Sequence, residues 1–284
     1  MGSLDTFVTL RSQLVSLAYR MLGASSDAED IVQEAWLRWQ PVDDSTVQNP
    51  RAWLHATVAR LCLDRLKSAA HRRESYQGTW LPEPVVTDAP IDRESISFAF
   101  LVLLERLTPA ERAVFVMHEV FDYAHAEVAD ALGMSEAAVR QAFHRASEHV
   151  AANRPRFAPS EADHARVLQA FTGAITGGDL SALLQLLADD ATLYADGGGK
   201  VRGAALRPVA GAEHVARFLV GLLARSVVEA DVTLGVEPVN GWPALVARSP
   251  RALVAVITIE TDGRKIVAVR NLVNPDKLRL PTVN

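Results

Sequence analysis

The sequence predicts a multidomain chain: two all-α domains, the second with a helix-turn-helix, followed by an α+β domain. Three observations predict it. Up to about residue 152, apolar positions recur at helical spacing. Two proline-bearing breaks, "TWLPEPVVTDAP" at Thr79–Pro90 and "NRPRFAPS" at 153–160, divide the chain. Beyond the second break, helices give way to strand-like runs, the last two joined by the hairpin signal Asp262-Gly263. The boundaries that follow are 1–75, a linker at 76–92, 93–152 and 160–284.

Residues 4–22 read as a helix with Leu10, Leu14, Leu17 and Leu22 inward. In "ASSDAEDIVQEAWLRWQP" the stripe Ala28, Ile31, Val32, Ala35, Trp36 and Trp39 is buried, and Asp27, Asp30, Gln33, Glu34 and Arg38 form the opposite face. Ser26 reads as the N-cap with Glu29 as box partner, and Pro41 ends the helix. A polar loop follows. Asn49 then caps a helix with Pro50 at its first position, running to about residue 74 and burying Trp53, Leu54, Val58, Leu61, Cys62 and Leu66.

After the linker, residues 93–107 read as a helix, and Thr108-Pro109-Ala110-Glu111 opens another that runs to about Val120. A short helix then ends at Gly133, and Ser135 caps its successor. That last helix turns Val139, Phe143, Ala146 and Val150 inward and Glu136, Arg140, Gln141, His144 and Arg145 outward. Two helices around a tight glycine turn, the second exposing Arg, Gln and His, make a helix-turn-helix. The tail reads as helices at about 160–175, 179–188 and 211–225, then a curved antiparallel sheet.

A net charge of −5 argues against a nucleic-acid partner until the distribution is read. Residues 49–73 hold Arg51, Arg60, Arg65, Lys67, Arg72 and Arg73 against Asp64 alone, and residues 135–156 hold four Arg against two Glu. Local basic segments matter more for DNA than the total does. The lone Cys62 excludes an internal disulfide and fits a reducing cytoplasm. No run reaches the roughly 18 apolar residues of a membrane span, and the N-terminus lacks a secretory signal pattern. The expected location is cytoplasmic, with no membrane partner.

"DAEDIVQEAWLRW", "NPRAWLHATVARLCLDRLKS" and the helix-turn-helix together resemble extracytoplasmic-function (ECF) sigma factors. The tail resembles a SnoaL-like domain, the cone-shaped α+β fold of the NTF2-like type. Three motifs mark the group of sigma factors that carry such a tail, and all three stand here. They are W-L-P-E-P as Trp80, Leu81, Pro82, Glu83 and Pro84; D-G-G-G-K as Asp196, Gly197, Gly198, Gly199 and Lys200; and N-P-D-K-L as Asn274, Pro275, Asp276, Lys277 and Leu278.

The resemblance implies a factor that directs core RNA polymerase to promoter DNA and is not itself catalytic. It implies that Asp30, Gln33, Glu34 and Arg38 dock on the clamp helices of the largest polymerase subunit. It assigns −10 recognition to Ser45, Asn49, Arg51, Arg60, Arg65 and Lys67; where related factors carry Asn, this chain has Leu61. It assigns −35 recognition to the second helix of the helix-turn-helix. There Arg140, Gln141 and His144 suit base edges and Arg145 suits phosphate, with Ser135 at the helix start.

For the tail, two readings stand. As an enzyme or ligand sensor it would use an Asp base with a His or Tyr helper in an apolar cone, and Tyr194, Asp196, His164 and His214 are the available types. As a fused regulator it would act in place of a separate anti-sigma protein, and this reading explains more. Trp80 and the Pro-Glu-Pro then form a stiff strip seated against Asp196–Lys200 or Asn274–Leu278, because proline lowers the entropy cost of ordering and tryptophan anchors. No cofactor or metal is expected. A small-molecule ligand of the tail is left open.

Overall fold

The computed structural model describes residues 3–43, 46–74, 76–86, 97–153, 159–229 and 232–278. Ser45 and linker positions 87–92 lie outside the described residues. The chain forms two compact units, Met1–Glu74 with Phe100–Arg154 and Ser75–Ala99 with Pro155–Asn284.

The first unit is helical. Helix α1 (Ser3–Leu22), α2 (Ser25–Trp39) and α3 (Pro50–Glu74) pack on one another. Leu14, Leu17, Met21, Ile31, Trp39, Leu54 and Val58 fill the space between them, all buried. Trp39 stacks at a tilt on Trp53 with ring centroids 5.1 Å apart, and Phe7 meets Trp36 at 4.9 Å. The expected Ser26 cap is corrected. Gly23 turns left-handed (φ 68) to close α1, and extended Ala24 precedes an α2 that already starts at Ser25 without a side-chain cap. Glu29, its expected box partner, pairs instead with Arg11.

Helix α4 (Phe98–Leu104) is shorter than the expected 93–107 helix, whose first residues up to 96 lie outside the described set. Helix α5 (Pro109–Phe115) opens on the expected capping box, Thr108 with Glu111. It continues as one π turn, Val116–Val120, which the sequence pattern did not reveal. Helices α6 (His125–Leu132) and α7 (Glu136–Asn153) form the helix-turn-helix. Gly133 adopts φ 66, and Met134 N–H returns to the Ala129 carbonyl at 3.0 Å, so the turn is a left-handed helix stop. Ser135 caps α7, accepting from Ala138 N–H at 3.2 Å.

Within this unit α3 packs against α5 and α6, joining the first helical domain to the second. Buried Arg112 donates Nε–H to the Arg20 carbonyl at 3.0 Å and pairs with Glu105. His55 on α3 is fully buried, edge-on to Phe121 at 5.3 Å, with its Nδ1 2.8 Å from the Tyr123 hydroxyl.

In the second unit, α8 (Glu161–Thr176), α9 (Leu180–Leu186) and α10 (Ala212–Glu229) pack over a six-stranded sheet. Its strands are β1 (Leu187–Asp196), β2 (Val209–Ala210), β3 (Thr233–Val239), β4 (Trp242–Arg248), β5 (Leu253–Thr261) and β6 (Ile266–Leu272), in the order β2-β1-β6-β5-β4-β3. Two expectations change. Leu187 and Ala188 belong to β1, not to the preceding helix, because Leu187 pairs with Ile266. The sheet is mixed, since β1 and β6 run parallel with Leu193 opposite Val269. Phe171, Leu183, Leu193, Val215, Leu219 and Val269 are core residues of this layer. Among the described residues, no helix is long and apolar enough to cross a membrane.

Burial first, then the Arg51 guanidinium, lowers the His55 imidazole to about 4. The folded value lies below the ordinary 6.5, so neutral His55 contributes its full stability above pH 6.5 and loses it as pH falls through about 4. The thermal midpoint of the helical unit is expected to drop across that window, and His55→Phe to flatten the drop. An unchanged pH profile in His55→Phe assigns the drop to other groups.

Candidate functional site

The α2 face is built as its periodicity dictates. With Ala28, Ile31, Val32, Ala35 and Trp39 inward, Asp30, Gln33 and Arg38 are exposed and Glu34 half-exposed on the outside. Arg38 donates to Glu34 at 2.6 Å along the helix. Exposed Leu37 lies beside this acidic-polar row.

The residues assigned to the −10 element do not share one track on α3. At 3.6 residues per turn, Arg51 and Arg65 are about 40° apart and Arg60 and Lys67 about 20° apart, while the two pairs lie on roughly opposite sides. Their partners differ too. Asn49 Oδ1 accepts from Ala52 N–H at 3.0 Å and caps the helix. Arg65 donates to Asp27 at 2.9 Å. Arg60 reaches the C-terminus of α6, where its guanidinium donates to the Asp130 carbonyl at 2.9 Å and to that of Ala131. A cation there satisfies orphan carbonyls and complements the negative end of the helix dipole. Arg51 and Lys67 are exposed.

On α7, Arg140, Gln141 and His144 are exposed together. Arg140 pairs with Glu136 one turn back, and His144 Nδ1 lies 3.3 Å from Glu148. Arg145 is engaged elsewhere. Its Nε–H donates at 2.7 Å to Glu111, whose carboxylate is buried in the first turn of α5. Burial pushes the Glu111 carboxyl up, but the bonds from Arg145 and Thr108 outweigh it and hold it below the usual range. Arg145 thereby braces the helix-turn-helix.

The three motif segments of linker and tail meet at one carboxylate. Asp196, at the end of β1, is fully buried. Its Oδ2 accepts from Leu81 N–H at 2.8 Å and from Lys277 Nζ at 2.8 Å, and its Oδ1 accepts from Gly198 N–H at 3.1 Å and from the Tyr76 hydroxyl. Lys277 Nζ also donates to the Leu81 carbonyl at 2.6 Å and sits 3.9 Å from the centroid of the Trp80 ring. Asn274 Nδ2 donates to the Tyr76 oxygen at 2.9 Å. Burial, then the Asp196 carboxylate, pushes the Tyr76 hydroxyl up, so it stays a donor.

The glycines make this closeness possible. A Cβ on Gly198 (φ 58) would stand 2.5 Å from Asn274 Nδ2, and one on Gly199 (φ 71) 2.5 Å from Gln77 Oε1. Gly197 leaves no room either, its Cβ position falling 2.6 Å from that of Ala204. Lys200 pairs with Asp276 at the rim, where Pro275 is exposed, and Leu278 is buried.

Leu81, Pro82 and Pro84 are buried, and Glu83 half-buried, as the strip continues to the β3–β4 turn. There Val86 bridges to Val239, and the Val85 carbonyl accepts from Asn240 N–H at 2.8 Å. Tyr76, Gln77 and Asn240 complete this seat and were not singled out from the sequence. A Gly following Asn240 at the β3–β4 turn was the one signal available for the last.

The residue types considered for an enzyme are not gathered. Tyr194 and Asp196 lie on the sheet face shared with Arg270, away from the helices. His164 Nε2 is 3.0 Å from the Pro243 carbonyl, and His214, exposed, has its Nδ1 3.1 Å from that of Ala210.

Family models for Sigma-70 region 2 and Sigma-70, region 4 match residues 6–72 and 97–150. The ECF RNA polymerase sigma factor SigJ of Mycobacterium tuberculosis (strain ATCC 25618 / H37Rv) is 42% identical, covering 95% of this chain and 91% of that protein. The probable ECF RNA polymerase sigma factor SigI of Mycobacterium tuberculosis is 34% identical, covering 94% of this chain and 92% of that protein. The crystal structure of Mycobacterium tuberculosis SigJ matches with a TM-score of 0.75 at 38% identity, covering 96% of this chain and 97% of that one. This chain belongs to the ECF RNA polymerase sigma factors. Its helical unit carries sigma regions 2 and 4, and its tail is an α+β domain.

Removing one partner of a desolvated ion pair costs about 3–5 kcal/mol, because the other charge is left buried. Lys277→Met should therefore destabilise the second unit on that scale and release amide protection at residues 76–86 in hydrogen exchange. Lys277→Met combined with Asp196→Asn should cost less than Lys277→Met alone. Protection that survives in Lys277→Met would show that the linker is held without the pair.

Proposed function

We propose that this sigma factor docks on the clamp helices of the largest subunit of core RNA polymerase through Asp30, Gln33, Glu34 and Arg38. It brings promoter DNA to the helical unit and reads the −35 element with Arg140, Gln141 and His144. The observation that supports this reading best is the exposure of these two polar rows on helices whose opposite stripes are buried. Ser135 and Arg145 position α7, the first by capping it and the second by holding Glu111. Recognition of the −10 element falls to Arg51 and Lys67, with Arg60 joining once it leaves the α6 carbonyls. Loading on polymerase is the step at which the two helical domains part.

The tail modulates this cycle in the place of a separate anti-sigma protein. Its hold on the linker supports that role, since Tyr76, Trp80 and Leu81 are tied to Asp196, Asn274 and Lys277. Whatever moves the tail moves the segment that joins the two promoter-reading domains. The partners are core polymerase and promoter DNA, and the tail carries no catalytic step.

Transcription in vitro with core polymerase tests both parts. Replacing Asp30 and Glu34 together with Lys is expected to abolish co-purification with core polymerase while leaving the helical content intact, because neither side chain enters the core. A double variant that still co-purifies removes the docking assignment. The full chain and one ending at residue 156 are expected to differ in promoter-dependent transcription. Equal output from the two leaves the tail with no part in regulation.

A further inference from the structure

The helix-turn-helix carries a pair of histidines that promoter reading has not yet used. His118 lies in the π turn Val116–Val120, and His125 opens α6. Both are half-buried. Their ring centroids stand 4.2 Å apart, and both rings meet Phe143 of α7 edge-on, His118 at 4.4 Å and His125 at 5.4 Å. A π turn is rare and is found mostly at functional sites. Here it sets His118 against both helices of the helix-turn-helix. Phe143 is one turn on from Arg140 and next to His144, so the pair borders the exposed row assigned to the −35 element.

The two rings are held differently. His118 Nδ1 lies 2.7 Å from the Tyr123 carbonyl, which can only accept, so that nitrogen carries a proton. Among the described residues, no hydrogen bond reaches either ring nitrogen of His125. Packing on Phe143 alone would be met by a phenylalanine, so the free nitrogens need another reason. Burial first, then His118 and Arg140, hold the His125 imidazole below its ordinary 6.5, and Glu136 opposes them. Glu136 and Arg140 pair with each other, and Glu127 of α6 accepts from Ala124 N–H at 2.8 Å. No group of three metal-ligating side chains is gathered among the described residues, so the pair does not read as a metal site.

We propose that His125 is a further DNA-contact residue of this sigma factor: it takes one proton from solvent and donates the new N–H to a phosphate oxygen flanking the −35 bases. This rests on the −35 reading of α7 proposed above. In a helix-turn-helix the first helix crosses the DNA backbone while the second enters the groove, and phosphate contacts position the protein without carrying sequence. His125 stands at that place, on the first helix and beside Arg140. A phosphate there attracts the charged imidazole and bonds to it, raising a value that the free protein holds low. The gain in affinity is therefore complete below the free-protein value, itself under 6.5, and is lost as pH rises through the DNA-bound value. His118 sharpens the response, because its neighbouring ring favours neutral His125 until a phosphate arrives.

Holoenzyme is reconstituted from core polymerase and the full chain, and its affinity is measured at about pH 6 and about pH 8 for a duplex that it selects from random-sequence DNA. With the same ratio for His125→Phe divided out, wild type is expected to bind about five- to tenfold more tightly at the lower pH, as when DNA raises one group's value by about one pH unit. His125→Gln, neutral at both values, should match His125→Phe and serves if the phenylalanine variant does not fold. A duplex with uncharged methylphosphonates flanking the −35 bases should lose the gain in wild type. Arg140→Ala tests the reading beneath: selectivity that survives in it at both pH values removes the −35 assignment. The present inference is overturned separately, by a pH ratio that both His125 variants keep or that survives on the methylphosphonate duplex. A ratio lost in His144→Gln but kept in the His125 variants also overturns it, since the proton then belongs to the α7 row.

Discussion

The second unit depends on one buried carboxylate. Asp196 accepts from Tyr76, Gly198, Leu81 and Lys277 with no solvent contact. A carboxylate offers about four acceptor sites, so its capacity is filled. Every donor that fills it brings a different segment: the start of the linker, the motif strip, the glycine turn after β1 and the chain after β6. Lys277 then reaches the Leu81 carbonyl and stacks against Trp80, so one ammonium neutralises the acid and seats the strip. The prolines fit the same constraint. Pro82 and Pro84 are buried and carry no N–H that would need an acceptor, and their fixed φ lowers the entropy lost on docking.

The helical unit uses a related solution with different groups. Its two domains meet through cations placed on backbone carbonyls: Arg112 on that of Arg20, and Arg60 on those at the end of α6. Helix ends leave such carbonyls without intrahelical partners, so an arginine from a neighbouring domain finds a ready acceptor. His55 adds an apolar face against Phe121 and a polar edge against Tyr123, and remains neutral because burial disfavours its charged form. The contacts are directional, which fixes how α3 meets α5 and α6.

What the sequence disclosed follows the range over which each signal acts. The helix-turn-helix was legible because Val139 and Ala146, the Gly133 stop and the Ser135 cap all lie within about 20 residues and share one period. The parallel pairing of β1 and β6 was not. Leu193 and Val269 are far apart in sequence, and a strand carries no local mark of its partner's direction. The misplaced start of β1 has the same origin, since Leu187 is a strand residue only because Ile266 lies beside it. The motif residues of the linker anchor were visible through resemblance, but Tyr76 and Gln77, which complete it, carry no pattern of their own. Arg60 illustrates the opposite failure. Its charge was legible, but its partner on α6 is supplied by tertiary packing. Asn271 reads as one polar residue in a strand, and only its pairing with the core residues Ala195 and Ile257 shows that it points inward.

The two sets of contacts differ in how readily they are exchanged. Arg60 is exposed, and its hydrogen bonds to carbonyls can be replaced by bonds to phosphate oxygens with little change in desolvation. The Lys277 side chain is 9% exposed and that of Asp196 0%, so separating them strands a charge in the interior. A ligand or partner shifts an equilibrium only by its differential affinity for the two states. In the proposed −10 role of Arg60, DNA would supply that difference by offering the guanidinium equivalent partners. It offers nothing equivalent to the buried Lys277. On the proposed reading the helical domains are the part that separates, and the linker is the part that stays with the tail. The regulation proposed for the tail would act through residues 76–86, because that segment cannot be released without dismantling the carboxylate site that orders it.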